Sequence, residues 1–410
     1  AYHKSDIKLE NVEFFYKEFP LKFIFKSADG KIKNDQIAIR STQATISETD
    51  INFNGEIKNL ISYIFDNSDK IYVNGHTASI YANFIELMTL SDISGEDKEE
   101  EEEDEIIMPD WISVSTSVDI KNFSYEKFIA SDLTAKIKYN NGIIKCSDIK
   151  ASSLNGGIRG EFTLDEYLEN NLKLLADIDL EKINIRNSFD AFNNYNQTFI
   201  VREQLKGVGS ANLRIESYWM PDFILDKKKL KIQSHLTIEK GELIDFKPLE
   251  SLSSYISLDE LKHVKFSTLE NTINVMNEVI TIPTMEIKSS ALSVFLSGTH
   301  TFGQEIDYDI TLLLSELLSK TLKKENASIT EFGEEKKDGK IFNTVYFKMT
   351  GDTDNPKISL NKIRFMEDLQ QTIKKEQAII NNIINADILK KEEKIKTEDE
   401  NIEIEWNPEL

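Results

Sequence analysis

The feature of this sequence that most restricts its fold is an alternation of apolar and polar residues with a period of two. In residues 290–320, SALSVFLSGTHTFGQEIDYDITLLLSELLSK, the side chains of Leu292, Val294 and Leu296 fall on one side of an extended chain. After a glycine-containing connection the same period recurs at Ile306, Tyr308, Ile310 and Leu312. This period is typical of β-strands with one apolar face, so the segment predicts a pair of half-buried strands.

Most of the chain repeats this pattern. Residues 133–164, LTAKIKYNNGIIKCSDIKASSLNGGIRGEFTL, predict an antiparallel meander of three strands. Related arrangements occupy residues 21–57 and, with a helical insertion, residues 230–298. We expect turns at Asp29-Gly30, Asn141-Gly142, Asn155-Gly156-Gly157 and Lys240-Gly241 because glycine and asparagine accept positive φ. The recurrence indicates an elongated, repeating antiparallel β-sheet.

Helical patterns are fewer. Short helices are expected at Phe84 to Leu90 and at 247–255, with a capping box at Ser257 and Glu260. Residues 361–391 have the period of an amphipathic helix. The blocks 94–105, 323–340 and 397–410 are too polar or too acidic to bury themselves. These patterns divide the chain into β regions at 1–93, 108–205 and 206–360, an acidic linker at 94–107, and a helical and acidic end at 361–410.

The charge balance excludes some classes of partner. The formal net charge is −22, and phosphate binding needs clustered cations, so we expect no nucleic-acid partner. Attraction to an anionic membrane surface is disfavoured for the same reason. Cys146 is the only cysteine, so no intramolecular disulfide can form. Residues 1–10 lack a signal-peptide pattern, and any targeting or anchoring segment is expected upstream of Ala1.

No motif of a catalytic, cofactor or metal site is present in the sequence. The five histidines lack the spacing of metal ligands, and the sequence contains neither a G-x-S-x-G elbow nor a phosphate-binding glycine loop. We interpret His300 as a residue capping a strand end and His235 as a side chain facing water. The segment DTDNP, Asp352 to Pro356, predicts a turn. We therefore expect a protein that is not an enzyme and has no catalytic residue, cofactor or metal.

An apolar sheet face must be covered. A β-sandwich and a closed barrel are the ordinary solutions, and a curled sheet holding lipid acyl chains is a third. Burial of one CH₂ group yields about 0.8 kcal/mol, so acyl chains need no specific polar contacts. Ordinary core packing remains the alternative for every position. The candidate lining residues are Leu133, Ile137, Tyr139, Leu292, Val294, Leu296, Ile306, Tyr308, Ile310, Val345 and Phe347.

Three segments carry a family resemblance. They are FDAFNNYNQTFI…LKGVGSANL at 189–213, LTIEKGELIDFKPLESLSSYISLDELKHVKFSTLEN at 236–271, and ITIPTMEIKSSALSVFLSGTHTFGQEIDYDITLLLSELLSK at 280–320 followed by EFGEEKKDGKIFNTVYFKMTGDTDNPKISLNK at 331–362. They resemble AsmA-like envelope proteins of Bacteroidota. The third is similar to the AsmA C-terminal region, with its Pro-Thr-Met-Glu-Ile strand and its Thr-Gly-x-x-Asp-x-Pro motif. The resemblance covers roughly residues 170 to 365, and its motifs are structural ones.

The resemblance implies a repeating β-groove protein related to bridge-like lipid transfer proteins. It implies a periplasmic location, anchoring in the inner membrane through a segment absent from this chain, and phospholipid or another acyl-chain lipid as the partner. The predicted function is binding or conduction of phospholipid between the inner and outer membranes, with envelope proteins as further partners. The alternative is a periplasmic scaffold or assembly factor for outer-membrane proteins that offers its sheet edges for strand addition. A glycan-binding sandwich ranks below both because Trp111, Trp219 and Trp406 are scattered.

Overall fold

A computed structural model describes residues 4–14, 23–66, 70–88, 110–167, 171–220, 224–246, 262–289, 293–313, 343–353, 355–360 and 364–365. These residues form one sheet of nineteen strands. The strands are β1 Lys4–Phe14, β2 Phe23–Lys33, β3 Gln36–Ile46, β4 Thr49–Lys58, β5 Ile71–Asn83, β6 Ile112–Tyr125, β7 Phe128–Asn140, β8 Ile143–Ser153, β9 Gly156–Tyr167, β10 Asn171–Asn184, β11 Leu205–Trp219, β12 Lys231–Ile244, β13 His263–Met276, β14 Val279–Lys288, β15 Ser293–Thr301, β16 Glu305–Leu313, β17 Asn343–Asp352, β18 Lys357–Leu360 and β19 Arg364–Phe365.

The order of the strands in the sheet is their order in the chain. Each strand from β1 to β17 pairs with the next one, and β19 lies beside β17 next to β18. Among these described pairings only β5 with β6 is parallel. Within the described part of the chain β1 and β18 do not pair, so the sheet is open. With strands about 4.8 Å apart, its seventeen steps measure about 80 Å along the sheet.

The helical elements are short and lie at the ends of strands. They are α1 Leu60–Asp66, α2 Phe84–Met88, α3 Ile185–Ala191, and the 3₁₀ turns Asn193–Asn196 and Arg202–Gln204. Of these, α2 was predicted, whereas α1 and α3 were not. Asn184 caps α3, since its side-chain oxygen accepts a hydrogen bond from the backbone N–H of Asn187. In the described chain no helix has the length and apolar character needed to cross a membrane.

Several expected elements fall wholly or partly outside the described residues. The acidic linker 94–107, the helix at 247–255 and the capping box at Ser257 and Glu260 lie outside them. Most of the amphipathic segment 361–391 does as well, but its start was placed wrongly. Arg364–Phe365 is extended and pairs with Asn343 and Thr344 of β17, because these backbones continue the ladder. The division into domains stays a prediction, and the described strands form one continuous ladder across it.

Repeated irregularities in the strands explain why the sheet curls. The register between neighbouring strands shifts near Asp132, Asp148, Lys182 and Gly207, and each of these residues has positive φ. A β-bulge inserts an extra residue, bends its strand and increases the local right-handed twist. Bulges recur along the sheet at β7, β8, β10 and β11, and each adds a local bend. The structure thus confirms the mainly β, elongated sheet curled into a groove.

Two of the four predicted turns are correct. Asn141 and Gly142 join β7 to β8, and Asn155 lies between β8 and β9. The prediction at Asp29-Gly30 is wrong because these residues lie inside β2, and the chain turns instead at Asn34 and Asp35. A Cβ atom on Gly30 would lie 2.9 Å from the carbonyl oxygen of Ala38, so this glycine permits a close approach of strands.

The turn predicted at Lys240-Gly241 is also wrong. Both residues lie within β12, where Lys240 has φ 51° and Gly241 lies under the ring of Phe266. A Cβ atom on Gly241 would lie 2.0 Å from that ring. Here glycine gives space for an aromatic side chain on the neighbouring strand. The predicted pair of strands on either side of this glycine is therefore a single long strand.

Candidate apolar groove

The two faces of the sheet differ in chemistry. Ile137 of β7 lies opposite Thr116 of β6 and Cys146 of β8, and Cys146 lies opposite Phe162 of β9. Phe162 in turn lies opposite Ala176 of β10. Directly opposed residues project from the same side of a sheet, so this row defines one face, which we name the inner face. The opposite side is the outer face.

No charged side chain lies among the central rows of the inner face. In the described strands β6–β11 these rows consist of Val114, Thr116, Val118, Ile120, Leu133, Ala135, Ile137, Tyr139, Ile144, Cys146, Ile149, Ala151, Ile158, Gly160, Phe162, Leu164, Leu174, Ala176, Ile178, Leu180, Ala211, Leu213, Ile215 and Ser217. The nearest acidic residue, Glu166, follows the last row at the rim and is exposed. Since 29% of the chain is charged, this exclusion is a strong segregation.

The outer face carries the charges and pairs many of them across strands. Lys121 of β6 lies 2.9 Å from Asp132 of β7, and Lys136 lies 2.9 Å from Asp148 of β8. These side chains are more than half exposed, so solvent screens each pair and its contribution to stability is small. The main effect of these charged side chains is to keep the outer face hydrated. The sheet therefore presents its inner face to whatever fills the concave side.

The inner face is open to solvent in its central part. Leu133, Ile137 and Tyr139, the candidates on β7, are partly exposed. The large apolar residues opposite them, including Ile144 of β8, are partly exposed too. A sealed core would bury such residues almost completely. Along these strands the concave side is thus an apolar groove that the described chain does not fill.

At the carboxyl-terminal end the inner face is closed. Leu296, Ile310 and Phe347 lie in one row across β15, β16 and β17. They belong with Val264 of β13 to a single packed cluster. Four of the candidates are only 2–5% exposed, namely Ile306, Tyr308, Ile310 and Phe347. Val294 and Leu296 pack against the same cluster.

The structure therefore separates the candidate residues into two groups. The three on β7 line the open groove, and six on β15–β17 form or adjoin the closed cluster. Val345 is placed only by its backbone, opposite Leu312, and Leu292 lies outside the described residues. Packing against protein alone accounts for the burial of the second group. Whether any of them contacts lipid stays a prediction.

Phe199, between α3 and β11, completes the closed cluster. Its ring meets the imidazole of His300 edge-on, with centroids 5.0 Å apart, and lies 6.2 Å from the ring of Tyr308. Phe246, after β12, packs against its other side at 5.3 Å. Phe199, which precedes β11 in the chain, thus packs onto the inner face between β12 and β16. Sequence analysis did not identify Phe199 as a core residue.

His300 has a different role from the one predicted. It lies within β15 on the inner face, because it pairs with Ile280 and Ile306, and does not cap a strand end. Burial lowers the pKa of His300, since the charged imidazolium is poorly solvated there. Burial also raises the pKa of Tyr308, whose hydroxyl lies 3.4 Å from Nδ1 of His300. Both side chains are therefore neutral at pH 7.

The predictions for His235 and for the turn at Asp352 are confirmed. His235 is exposed, as predicted, and lies 3.1 Å from Glu270 on the outer face. The segment beginning at Asp352 turns between β17 and β18, where the N–H of Asn355 donates to the carbonyl of Asp352. Cys146 is buried on the inner face as a small apolar residue. The described residues contain no group of three or more His, Cys, Asp or Glu positioned to hold a metal ion.

An aromatic row borders the groove where β6 ends and β7 begins. Phe84 of α2 meets Tyr125 at 5.8 Å and Phe123 at 6.0 Å. Phe128 continues the row to Phe123 at 6.5 Å and stacks on Phe192 after α3 at 5.5 Å. Two of the short helices, α2 and α3, therefore lie along the same long side of the groove and are linked by aromatic contacts, whereas α1 lies at the opposite end of β5. Sequence analysis missed this row, although the spacing of aromatic residues in FDAFNNY was a usable signal.

Comparison of the chain with family models, with curated proteins and with solved structures finds no match. The geometry of the groove is thus the basis for assigning a function.

Proposed function

We propose that this protein binds the acyl chains of lipids in its open groove. The observation that carries the proposal is the inner face of β6–β11, which is uncharged in its central rows and yet partly exposed. An exposed apolar surface of this extent marks a binding site in a soluble protein. A long, continuous surface without fixed polar groups suits a flexible hydrocarbon chain better than a compact polar ligand.

The energetics support acyl chains as the occupant. Each buried CH₂ group contributes about 0.8 kcal/mol, so ten of them supply about 8 kcal/mol before the costs of association. No hydrogen bond is needed along the hydrocarbon, in agreement with the central rows. The headgroup would stay outside, near the polar rims. We propose a phospholipid as the occupant and the bacterial envelope as the setting, in line with the resemblance of the sequence to AsmA-like proteins.

The closed end limits where the lipid lies. Ile310 and Phe347 are packed against protein, so the proposed site extends from the amino-terminal strands to about β12. A scaffold for envelope proteins is a second candidate. The observation that favours it is β1, which pairs on one side only among the described strands. Lipid uptake separates the two candidates, because a scaffold does not require it.

The test places a charge on the groove without touching the closed cluster. Ile137→Asp puts a carboxylate in the central row of β7. The matched control is Ile129→Asp on the same strand, where the side chain is 67% exposed. The delipidated chain is mixed with phosphatidylcholine vesicles that contain a fluorescent phospholipid, and protein-bound lipid is measured after the vesicles are removed.

We expect wild type and Ile129→Asp to take up lipid equally, and Ile137→Asp to take up at least fivefold less. Circular dichroism checks that each variant keeps its β-sheet. Absence of lipid in the wild-type chain would refute the proposal. Undiminished uptake by a folded Ile137→Asp variant would show that lipid binds elsewhere.

A further inference from the structure

The outer edge of β1 offers a complete strand for pairing. β1 has eleven residues, and it pairs with β2 and with no other described strand. Half of its backbone N–H and C=O groups therefore point away from the sheet. Proteins usually protect such an edge, because it is a template for another strand. What covers the edge can be inferred from the charges along it.

Charged residues alternate in sign along the outer face of β1. Lys4, Asp6, Lys8 and Glu10 are all exposed on this face. In the pairing with β2, Lys8 lies opposite Asp29 and Asp6 lies opposite Lys31. Lys4 and Glu10 are not matched in this way. Lys4 lies opposite Lys33, a like charge, and Glu10 lies opposite Ser27.

We propose that the edge of β1 pairs with β1 of a second copy of this chain, antiparallel about a two-fold axis at Ile7. In this register Lys4 lies opposite Glu10 of the partner subunit, and Asp6 lies opposite Lys8 of the partner subunit. Two-fold symmetry repeats both pairs, so Lys4, Asp6, Lys8 and Glu10 on each strand all meet an opposite charge. Opposed charges of unlike sign stabilise an antiparallel pair, whereas like charges destabilise it.

The same register joins the apolar faces. Directly opposed residues in antiparallel strands project from the same side, so Ile7 meets Ile7 of the partner subunit on the inner face. The two-fold axis then runs perpendicular to the sheet and keeps both inner faces on the same side. The pairing is isologous and closes at two subunits. The edge pairing does not rest on the proposed lipid function. Only the idea that the dimer offers lipid a groove of twice the length rests on it.

The first experiment exchanges charges at the unmatched positions. Sedimentation at 150 mM salt gives the dimer dissociation constant of the full chain. Lys4→Glu places a carboxylate opposite Glu10 of the partner subunit at two symmetric sites, and Glu10→Lys does the converse. Each single variant is expected to weaken dimerisation roughly tenfold, because an attractive cross-strand pair becomes a repulsive one at two symmetric sites. The double variant Lys4→Glu/Glu10→Lys restores attraction and is expected to regain the wild-type constant.

This design separates pairing from folding. Within one subunit Lys4→Glu replaces a like-charge contact with Lys33 by an attractive one, so its fold is at least as stable. A wild-type chain that stays monomeric, near 47.1 kDa, at about 100 µM would refute the pairing. So would single variants with an unchanged constant, or a folded double variant that fails to regain it.

A second experiment tests the position of the axis. Ile7→Cys places two thiols in directly opposed positions, within the range that a disulfide spans. Ser5→Cys is the control, since Ser5 lies opposite Leu9 of the partner subunit and its two copies are too far apart. Cys146 is buried and does not compete. Mild oxidation is expected to cross-link only Ile7→Cys, and equal cross-linking of both variants would refute the register.

A monomer that takes up lipid overturns the pairing alone, and a dimer without lipid overturns the proposed function alone.

Discussion

Replacing Phe347 by alanine removes a ring from the closed part of the inner face. Phe347 is 2% exposed and lies opposite Ile310 of β16 and Leu360 of β18. A matched substitution, Phe162→Ala, removes the same ring from β9 in the open groove, between Cys146 and Ala176. The two positions share strand geometry and face, so the comparison isolates the effect of closure.

The structure gives the size of the difference. A phenylalanine ring in a sealed core costs about 3–5 kcal/mol when truncated to alanine, because transfer and cavity terms add. Ladder pairing on both sides of Phe347 prevents its neighbours from collapsing into the space. Phe162 is partly exposed and lines an open groove, so little cavity term arises. We expect its loss to be about half as large or less.

Hydrogen exchange with mass spectrometry is the assay, because it reports the free energy of local opening region by region. Peptides from β16 and β17 follow Phe347→Ala, and peptides from β8 to β10 follow Phe162→Ala, both in the delipidated chain. Similar losses at the two positions, or a larger one at Phe162, would refute the division into an open groove and a closed end.

Two further predictions concern buried titratable groups. Burial lowers the pKa of His300 below its ordinary value of 6.5. As the pH falls, the unfolded chain therefore binds a proton at this residue before the native chain does. The contribution of His300 to the free energy of unfolding is complete above pH 6.5 and is lost as the pH falls below that value. In urea titrations between pH 7 and 5, His300→Gln should lose less stability than wild type, and parallel curves would contradict this. Burial raises the pKa of Cys146 to about 11, so the native thiol should react with iodoacetamide at pH 8 far more slowly than the unfolded chain. Equal rates would show that the thiol is accessible.

Strand periodicity and local turn chemistry made much of the fold predictable from the sequence. Asn141-Gly142 lies between two alternating segments. The turn residues and the alternation together correctly predicted the hairpin of β7 and β8. Gly30 and Gly241 misled the prediction, because a glycine inside a strand and a glycine in a turn look alike in sequence. They are distinguished by a neighbouring strand or by the ring of Phe266, which are contacts distant in sequence.

The candidate site was predictable only in part for the same kind of reason. Alternation correctly grouped Ile137 with Tyr139, and Leu296 with Ile310, on apolar faces. It could not show that the second pair is sealed, because closure depends on Val264 and on Phe199 from elsewhere in the chain. It also could not detect the bulges at Asp132 and Asp148, where the register between neighbouring strands shifts.

The pairing of each strand with its neighbour in the chain has a consequence for how the protein can change in size. In such a ladder, stability is approximately a sum over adjacent strands, as in other linear arrays. Hairpins can then be gained or lost at one end without rebuilding a shared centre. The length of the groove is thus a quantity that evolution, or an engineer, can adjust in steps of two strands, about 10 Å at a time.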